Sequence, residues 1–196
     1  MNKDEQLIRL QQLVKETNIL RKSVVEDLGG QIFDMAAVIS GVIGSGGKLL
    51  IAGNGGSAAD ATHFAAEMVV RLTADRNRQS LPVLALCTDT SVMTAAANDF
   101  GFDNVFARQV EGLGCKGDML FVISTSGNSK NLVKAVHTAR DRGMLTAGLL
   151  GCRGGKLARL LERPLIIPHT STQRIQEEHI FIIHLLVEMV EGDLFG

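Results

Sequence analysis

Leu7, Leu10, Val14, Val24 and Leu28 recur at spacings of three, four and their sums, with charged residues between them. That period predicts an amphipathic helix over residues 3–28, ended by Gly29-Gly30. A second, more apolar helix is predicted over 31–45 from Ile32, Phe33, Ala36, Val38, Ile39, Val42 and Ile43, closing at Gly44-Ser45-Gly46-Gly47. From Lys48 onward short, continuously apolar runs alternate with helical stretches. The runs fall at 49–52, 83–87, 119–123, 145–150 and 165–168. Helices are expected from Ser57, from about Ser91, from Ser129, near Lys156, and over 172–191. Apolar strands each followed by a helix predict a parallel sheet covered on both faces. The fold class is therefore α/β: a five-stranded parallel sheet between helical layers, with N-terminal helices as an appendage. The division is residues 1–47, a helical extension for packing or oligomerisation, and residues 48–196, the α/β domain.

Composition narrows the function classes. The 196 residues carry 20 Lys plus Arg and 21 Asp plus Glu, a formal charge of −1, with 45% apolar and 21% charged residues. This is ordinary globular usage, not disorder, and it predicts no strongly basic nucleic-acid face. The absence of Trp and Tyr argues against base-stacking readers. Cys87, Cys115 and Cys152 are too few and scattered for a disulfide framework. The charged N-terminus has no apolar signal region. The longest apolar stretch, 32–43, carries Asp34 and is shorter than the ~20 residues a bilayer span needs. A cytoplasmic protein with no membrane partner is expected.

Two strand ends carry candidate chemistry. The first runs into Gly53-Asn54-Gly55-Gly56-Ser57-Ala58 and then a helix, a turn where backbone can approach a ligand and a helix N-terminus can receive an anion. The same residues satisfy a dinucleotide fingerprint, but the nearest acidic residue, Asp89, lies about 30 residues on, against the ~20 such a site needs. The third strand ends in Ser124-Thr125-Ser126-Gly127-Asn128-Ser129. Hydroxyls and backbone N–H groups at a helix start suit a phosphate held by neutral donors. A simple helix cap at Asn128 or Ser129 is the alternative, and it leaves Ser124, Thr125 and Ser126 unaccounted for.

His63 and Glu67 are four apart on one helix, so they share a face. Gln176, Glu177, Glu178, His179 and His184 crowd the last helix, where Gln176 and His184 can share a face. Imidazole plus carboxylate is zinc-compatible chemistry. Satisfied core histidines are the competing reading, and an amide is an unusual zinc ligand. His137 and His179 are read as structural.

Gly53-Asn54-Gly55-Gly56-Ser57, Asp60, His63-Phe64-Ala65-Ala66-Glu67, Ala97-Asn98-Asp99-Phe100-Gly101, Ile123-Ser124-Thr125-Ser126-Gly127-Asn128-Ser129 and Arg174-Ile175-Gln176-Glu177 together resemble the sugar isomerase (SIS) domain family, and within it the phosphoheptose isomerases. The resemblance covers nearly the whole chain. It implies a three-layer αβα sandwich and isomerisation of D-sedoheptulose 7-phosphate to D-glycero-D-manno-heptose 7-phosphate, the first step toward activated heptose for bacterial surface glycans. Carried over residue by residue, Asn54, Gly55, Gly56, Ser57, Asn98, Asp99 and Gln176 would face the substrate. Ser124, Thr125, Ser126 and Ser129 would hold its phosphate. His63, Glu67, Gln176 and His184 would surround one Zn²⁺ per subunit, with Glu67 and His184 as the acid–base pair. A homotetramer with active sites at subunit interfaces is also implied. One branch of the family has replaced the positions of Glu67 and His184 and binds the bacterial replication initiator instead. This chain keeps both residues, although its segment 81–90 resembles that branch, and it has Leu150-Gly151 where most isomerases carry Thr-Gly.

Overall fold

The computed structural model describes residues 2–196. The chain opens with α1 (Lys3–Gly44), started by a capping box in which Asn2 Oδ1 accepts from the Glu5 N–H and the Glu5 carboxylate accepts from the Asn2 N–H, each at 2.9 Å. It then alternates as β1 (Leu49–Gly53), α2 (Gly56–Val69), β2 (Val83–Ala85), α3 (Thr90–Phe100), a 3-10 turn (Phe102–Asn104), α4 (Val105–Leu113), β3 (Met119–Ser124), α5 (Lys130–Asp141), β4 (Leu145–Gly151), α6 (Leu157–Leu160), β5 (Arg163–Ile167) and α7 (Thr172–Phe195).

The five strands form one sheet, all pairs parallel, in the order β2-β1-β3-β4-β5. Alternate strand residues feed opposite faces, as the period of two requires. Leu49, Ile51, Met119, Phe121, Ile123, Ala147, Leu149, Leu165 and Ile167 pack with α1, α2 and α7. Leu50, Ala52, Leu120, Val122 and Leu150 pack with α3, α4, α5 and α6. The three-layer αβα architecture is thus the expected one.

Three local expectations are corrected. The two N-terminal helices are one: α1 runs through Gly29 and Gly30 without a break. Each glycine costs about 1 kcal/mol against alanine in a helix, but Leu20 and Val24 before the pair and Ile32, Met35, Ala36 and Ile39 after it bury against one core. A stop there would split that face. Second, α4 was not anticipated; it buries only Val105, Phe106 and Val110, too brief a pattern to separate from loop. Third, β2 spans three residues and not the five expected. The 47/48 division falls in the turn between α1 and β1, and α1 is clasped to α7. Arg21 grips the buried Glu178 carboxylate through Nε and Nη2 at 3.2 and 3.1 Å, and Ser40 Oγ donates to Asp193 Oδ2 at 2.8 Å. Among the described residues, no helix is long and apolar enough to cross a membrane.

Candidate active site

After β1 the chain moves to β2 on one side, and later returns to place β3 on the other side of β1. The carboxyl ends of β1 and β3 therefore flank the switch-point crevice where open α/β sheets take ligands. The Asn54 turn and the Ser124–Ser129 loop stand there. Gly55 takes φ 56°, ψ −123°, a backbone state that a side chain disfavours. At Gly53 a Cβ would run into the Ser57 carbonyl, and at Gly56 into the Gln176 carboxamide. Gln176 of α7 thus lies directly over the first turn of α2. Ser57 is buried there, its N–H on the Asn54 carbonyl at 3.0 Å.

The two loops are tied by a residue that sequence reasoning missed. Asn131, nearly fully buried in the first turn of α5, exchanges a reciprocal amide pair with Asn54, at 3.0 and 2.8 Å. A polar residue on the otherwise apolar inner face of α5 was the available signal. In the serine loop, Ser124 Oγ accepts from the Gly127 N–H at 3.1 Å and Ser126 Oγ from the Asn128 N–H at 3.2 Å. Asn128 is held on the Ser126 carbonyl and the Lys156 N–H. Ser129 is the N-cap residue of α5, but its side chain makes no cap bond. The plain capping role therefore does not use its hydroxyl, which leaves it free for a ligand. A cleft of about 640 Å³ opens beside this loop, lined by Ser126, Asn128, Cys152, Arg153, His169 and Thr170.

The second cluster lies where α2 packs on α7. His63 Nε2 and His184 Nε2 face each other at 2.9 Å, their rings edge to face. Two neutral imidazoles at that distance share one proton, one donating and one accepting. Glu67 Oε1 is 3.8 Å from His63 Nε2, and Glu67 Oε2 is buried without a partner. One turn before His63, Asp60 also buries an unpartnered oxygen. Burial pushes its carboxyl up to about 6, against the opposing pull of His63. The described residues contain no group of three or more His, Cys, Asp or Glu side chains already placed to hold a metal ion. The donor types nevertheless fit one: two converging imidazole nitrogens and an orphaned carboxylate oxygen.

Two parts of the expected site stand apart within one chain. Asn98 and Asp99, at the exposed end of α3, hydrogen-bond to each other at 2.8 Å and to neither cluster. His63 lies seven residues beyond Gly56 on α2, about 10 Å along the helix axis, so the imidazole pair stands apart from the glycine turn that Gln176 covers. His179 is structural, as expected. It is fully buried with Nε2 3.3 Å from the Leu150 carbonyl, and burial pushes its imidazole down to about 4.

Comparison with known proteins places this arrangement. The SIS domain family matches residues 12–151. The phosphoheptose isomerase of Geobacter sulfurreducens is 48% identical over 174 residues, 89% of this chain and 91% of that protein. Among solved structures, the phosphoheptose isomerase of Neisseria gonorrhoeae superposes with a TM-score of 0.89 at 40% identity, over 95% of this chain and 99% of that one. That of Francisella tularensis gives 0.91 at 32%, over 95% and 98%. The chain therefore belongs to the SIS domain family, among its phosphoheptose isomerases.

Proposed function

We propose that this protein isomerises D-sedoheptulose 7-phosphate to D-glycero-D-manno-heptose 7-phosphate. One observation carries the reading: the α2–α7 crossing sets two imidazoles nitrogen to nitrogen at 2.9 Å beside a carboxylate with an unpartnered oxygen. Aldose–ketose interconversion moves a proton between C1 and C2 through an enediol and another between the two oxygens. It needs a base at carbon and an acid at oxygen, roles that fall to Glu67 and His184. The phosphate belongs to the loop of Ser124, Thr125, Ser126 and Ser129, where neutral donors and a helix start replace a basic patch. The Asn54 turn, Gly55, Gly56 and Ser57 orient the sugar, and Asn98 and Asp99, which stand apart from them within one chain, face it from a neighbouring subunit.

His63, Glu67 and His184 would hold a zinc ion, with Gln176, which stands at the first turn of α2 in its own chain, completing the set from a neighbouring subunit. Bound there, zinc would polarise the substrate carbonyl as a Lewis acid. A homotetramer with shared active sites is part of the same reading. Support comes from the separation of the two clusters within one chain, and from Leu7, Ile8, Leu10, Val14, Ile19 and Phe33 standing exposed on α1. Light scattering showing an active monomer would overturn that part. Three free cysteines and a phosphorylated substrate suit a cytoplasmic setting. The replication-regulator alternative is not favoured, because Glu67 and His184 are both present and the curated relatives are isomerases by name.

The test is proton NMR of sedoheptulose 7-phosphate turnover, with and without chelator, for the native chain and Glu67→Gln. General acid–base catalysis is worth about 10²–10⁴-fold, so Glu67→Gln should lose that much while keeping its far-UV spectrum. A zinc-loaded native protein with no turnover refutes the isomerase reading. Full activity in chelator refutes the metal.

A further inference from the structure

The two helices that carry the acid–base pair are joined a second time, away from the pair, through a buried arginine in the irregular segment after α2. Arg78 has a side chain 1% exposed, and it faces a Glu191 carboxylate 3% exposed. Its Nε donates to Glu191 Oε1 at 2.7 Å. Its Nη2 donates to the Glu67 carbonyl at 2.8 Å, and its Nη1 to the carbonyls of Met68 and Gln79 at 2.9 and 3.0 Å. Glu191 Oε1 also accepts from the Leu72 N–H at 3.2 Å, and Arg76 Nε stands 4.0 Å from its other oxygen.

Two features make this more than a buried ion pair. The carbonyls of Glu67 and Met68 belong to the last turn of α2, where no following helical N–H reaches them. Arg78 donates to both, sharing the Met68 carbonyl with the Leu81 N–H at 3.3 Å, and one of them is the peptide of Glu67 itself. Glu191 lies seven residues beyond His184 on α7, two turns on and on nearly the same face. A single rigid guanidinium fork therefore locks the backbone of one member of the acid–base pair to the helix of the other.

We propose that Arg78, with Glu191, is a positioning residue: it sets the approach of Glu67 to His184, and so the rate of the chemical step and not the affinity for substrate. The role rests on the isomerase reading. A lysine there keeps the charge but presents a point donor that cannot serve the four acceptors of the guanidinium fork. Misplacing a reacting group by about 1 Å costs about 10²-fold in rate.

The test compares the native protein with Arg78→Lys and Glu191→Gln, by steady-state kinetics and by NMR of the five histidine rings. Expected for Arg78→Lys is a folded protein with kcat down about 10- to 100-fold, KM within about threefold, and the His63 and His184 ring signals moved. His137, on α5 across the sheet, should stay put. Glu191→Gln keeps one acceptor oxygen for Arg78 and the Leu72 N–H but loses the charge; it should fall between the two, and it decides the matter if the lysine variant does not fold. A folded variant with native kcat, or with unmoved His63 and His184 signals, overturns the proposal. If the native chain itself fails to turn over the heptulose phosphate, the isomerase reading has failed, and the ring signals alone decide whether Arg78 positions the pair.

Discussion

His179 should make this protein acid-sensitive by an amount that can be worked out. The ring is fully buried on α7, with Nδ1 unpartnered and Nε2 at 3.3 Å from the Leu150 carbonyl. Desolvation lowers its pKa from 6.5 to about 4, although the Leu150 carbonyl pulls the other way. The unfolded chain thus binds a proton below about pH 6.5 that the native chain refuses until about pH 4. With more protons on the unfolded state, stability rises with pH across that window, and is lost as pH falls through it. At about 1.4 kcal/mol for each tenfold change in proton affinity, that difference amounts to about 3 kcal/mol in full, and to about 2 kcal/mol between pH 7 and pH 4.5. His179→Gln keeps a donor for the Leu150 carbonyl and removes the titration. The assay is urea unfolding by circular dichroism at both pH values and one fixed protein concentration, since assembly would otherwise shift the midpoint. Asp60, whose pKa is raised to about 6, works in the opposite direction, because its native form takes up a proton early and gains stability as pH falls. It is common to both proteins and cancels in the comparison. The native chain should lose about 2 kcal/mol more than His179→Gln. Losses equal within about 0.5 kcal/mol would refute the burial reasoning.

Two glycines at the site should respond differently to alanine. At Gly56 the new methyl meets only the flexible end of Gln176, so urea unfolding should be unchanged within about 1 kcal/mol, while kcat/KM falls at least about tenfold as Gln176 is displaced. At Gly127, φ +64° and a collision with the Gly154 backbone leave nothing flexible to move, and the variant should unfold well below the native chain. Asn131→Leu should cost about 1–2 kcal/mol through the unpaired Asn54 amide. It should also raise KM, since the sugar-facing turn loses its tie to the phosphate loop; an unchanged KM would separate that tie from binding.

The sheet was legible because its strands are buried on both faces and read as unbroken apolar runs, as in Leu49–Gly53 and Met119–Ser124. Where burial is thin, reading failed. β2 lies at an edge and is only partly covered, and α4 buries three side chains. Gly29-Gly30 misled because local propensity is worth about 1 kcal/mol a residue, less than the packing that α1 gains by continuing. At the site, the i, i+4 pairing of His63 with Glu67 needed only helical geometry. The meeting of His63 with His184 depends on how α2 crosses α7, and the Asn54–Asn131 pair on how β1 and β3 adjoin. Neither crossing is written in local spacing. Arg78 was invisible for the same reason, since its partners come from the end of α2, its own neighbour Gln79, and Glu191 of α7.

The two halves of the site are built on different physics. The loops at the carboxyl edge are shaped by close backbone approach. Methyls at Gly53 and Gly127 would strike other backbone, so these turns are fixed by the chain's own path. His63, Glu67 and His184 meet where α2 packs on α7, in the layer that α1 also covers. That layer carries the exposed apolar residues of α1 and the Arg21–Glu178 clasp joining α1 to α7. Glu178 lies between Gln176 and His184 on α7, two residues after one and six before the other, so the helix that carries His184 is the helix to which α1 is anchored. The Arg21 clasp and His184 thus share one continuous helix, so the seat of α1 and the meeting of α2 with α7 are set by the same element.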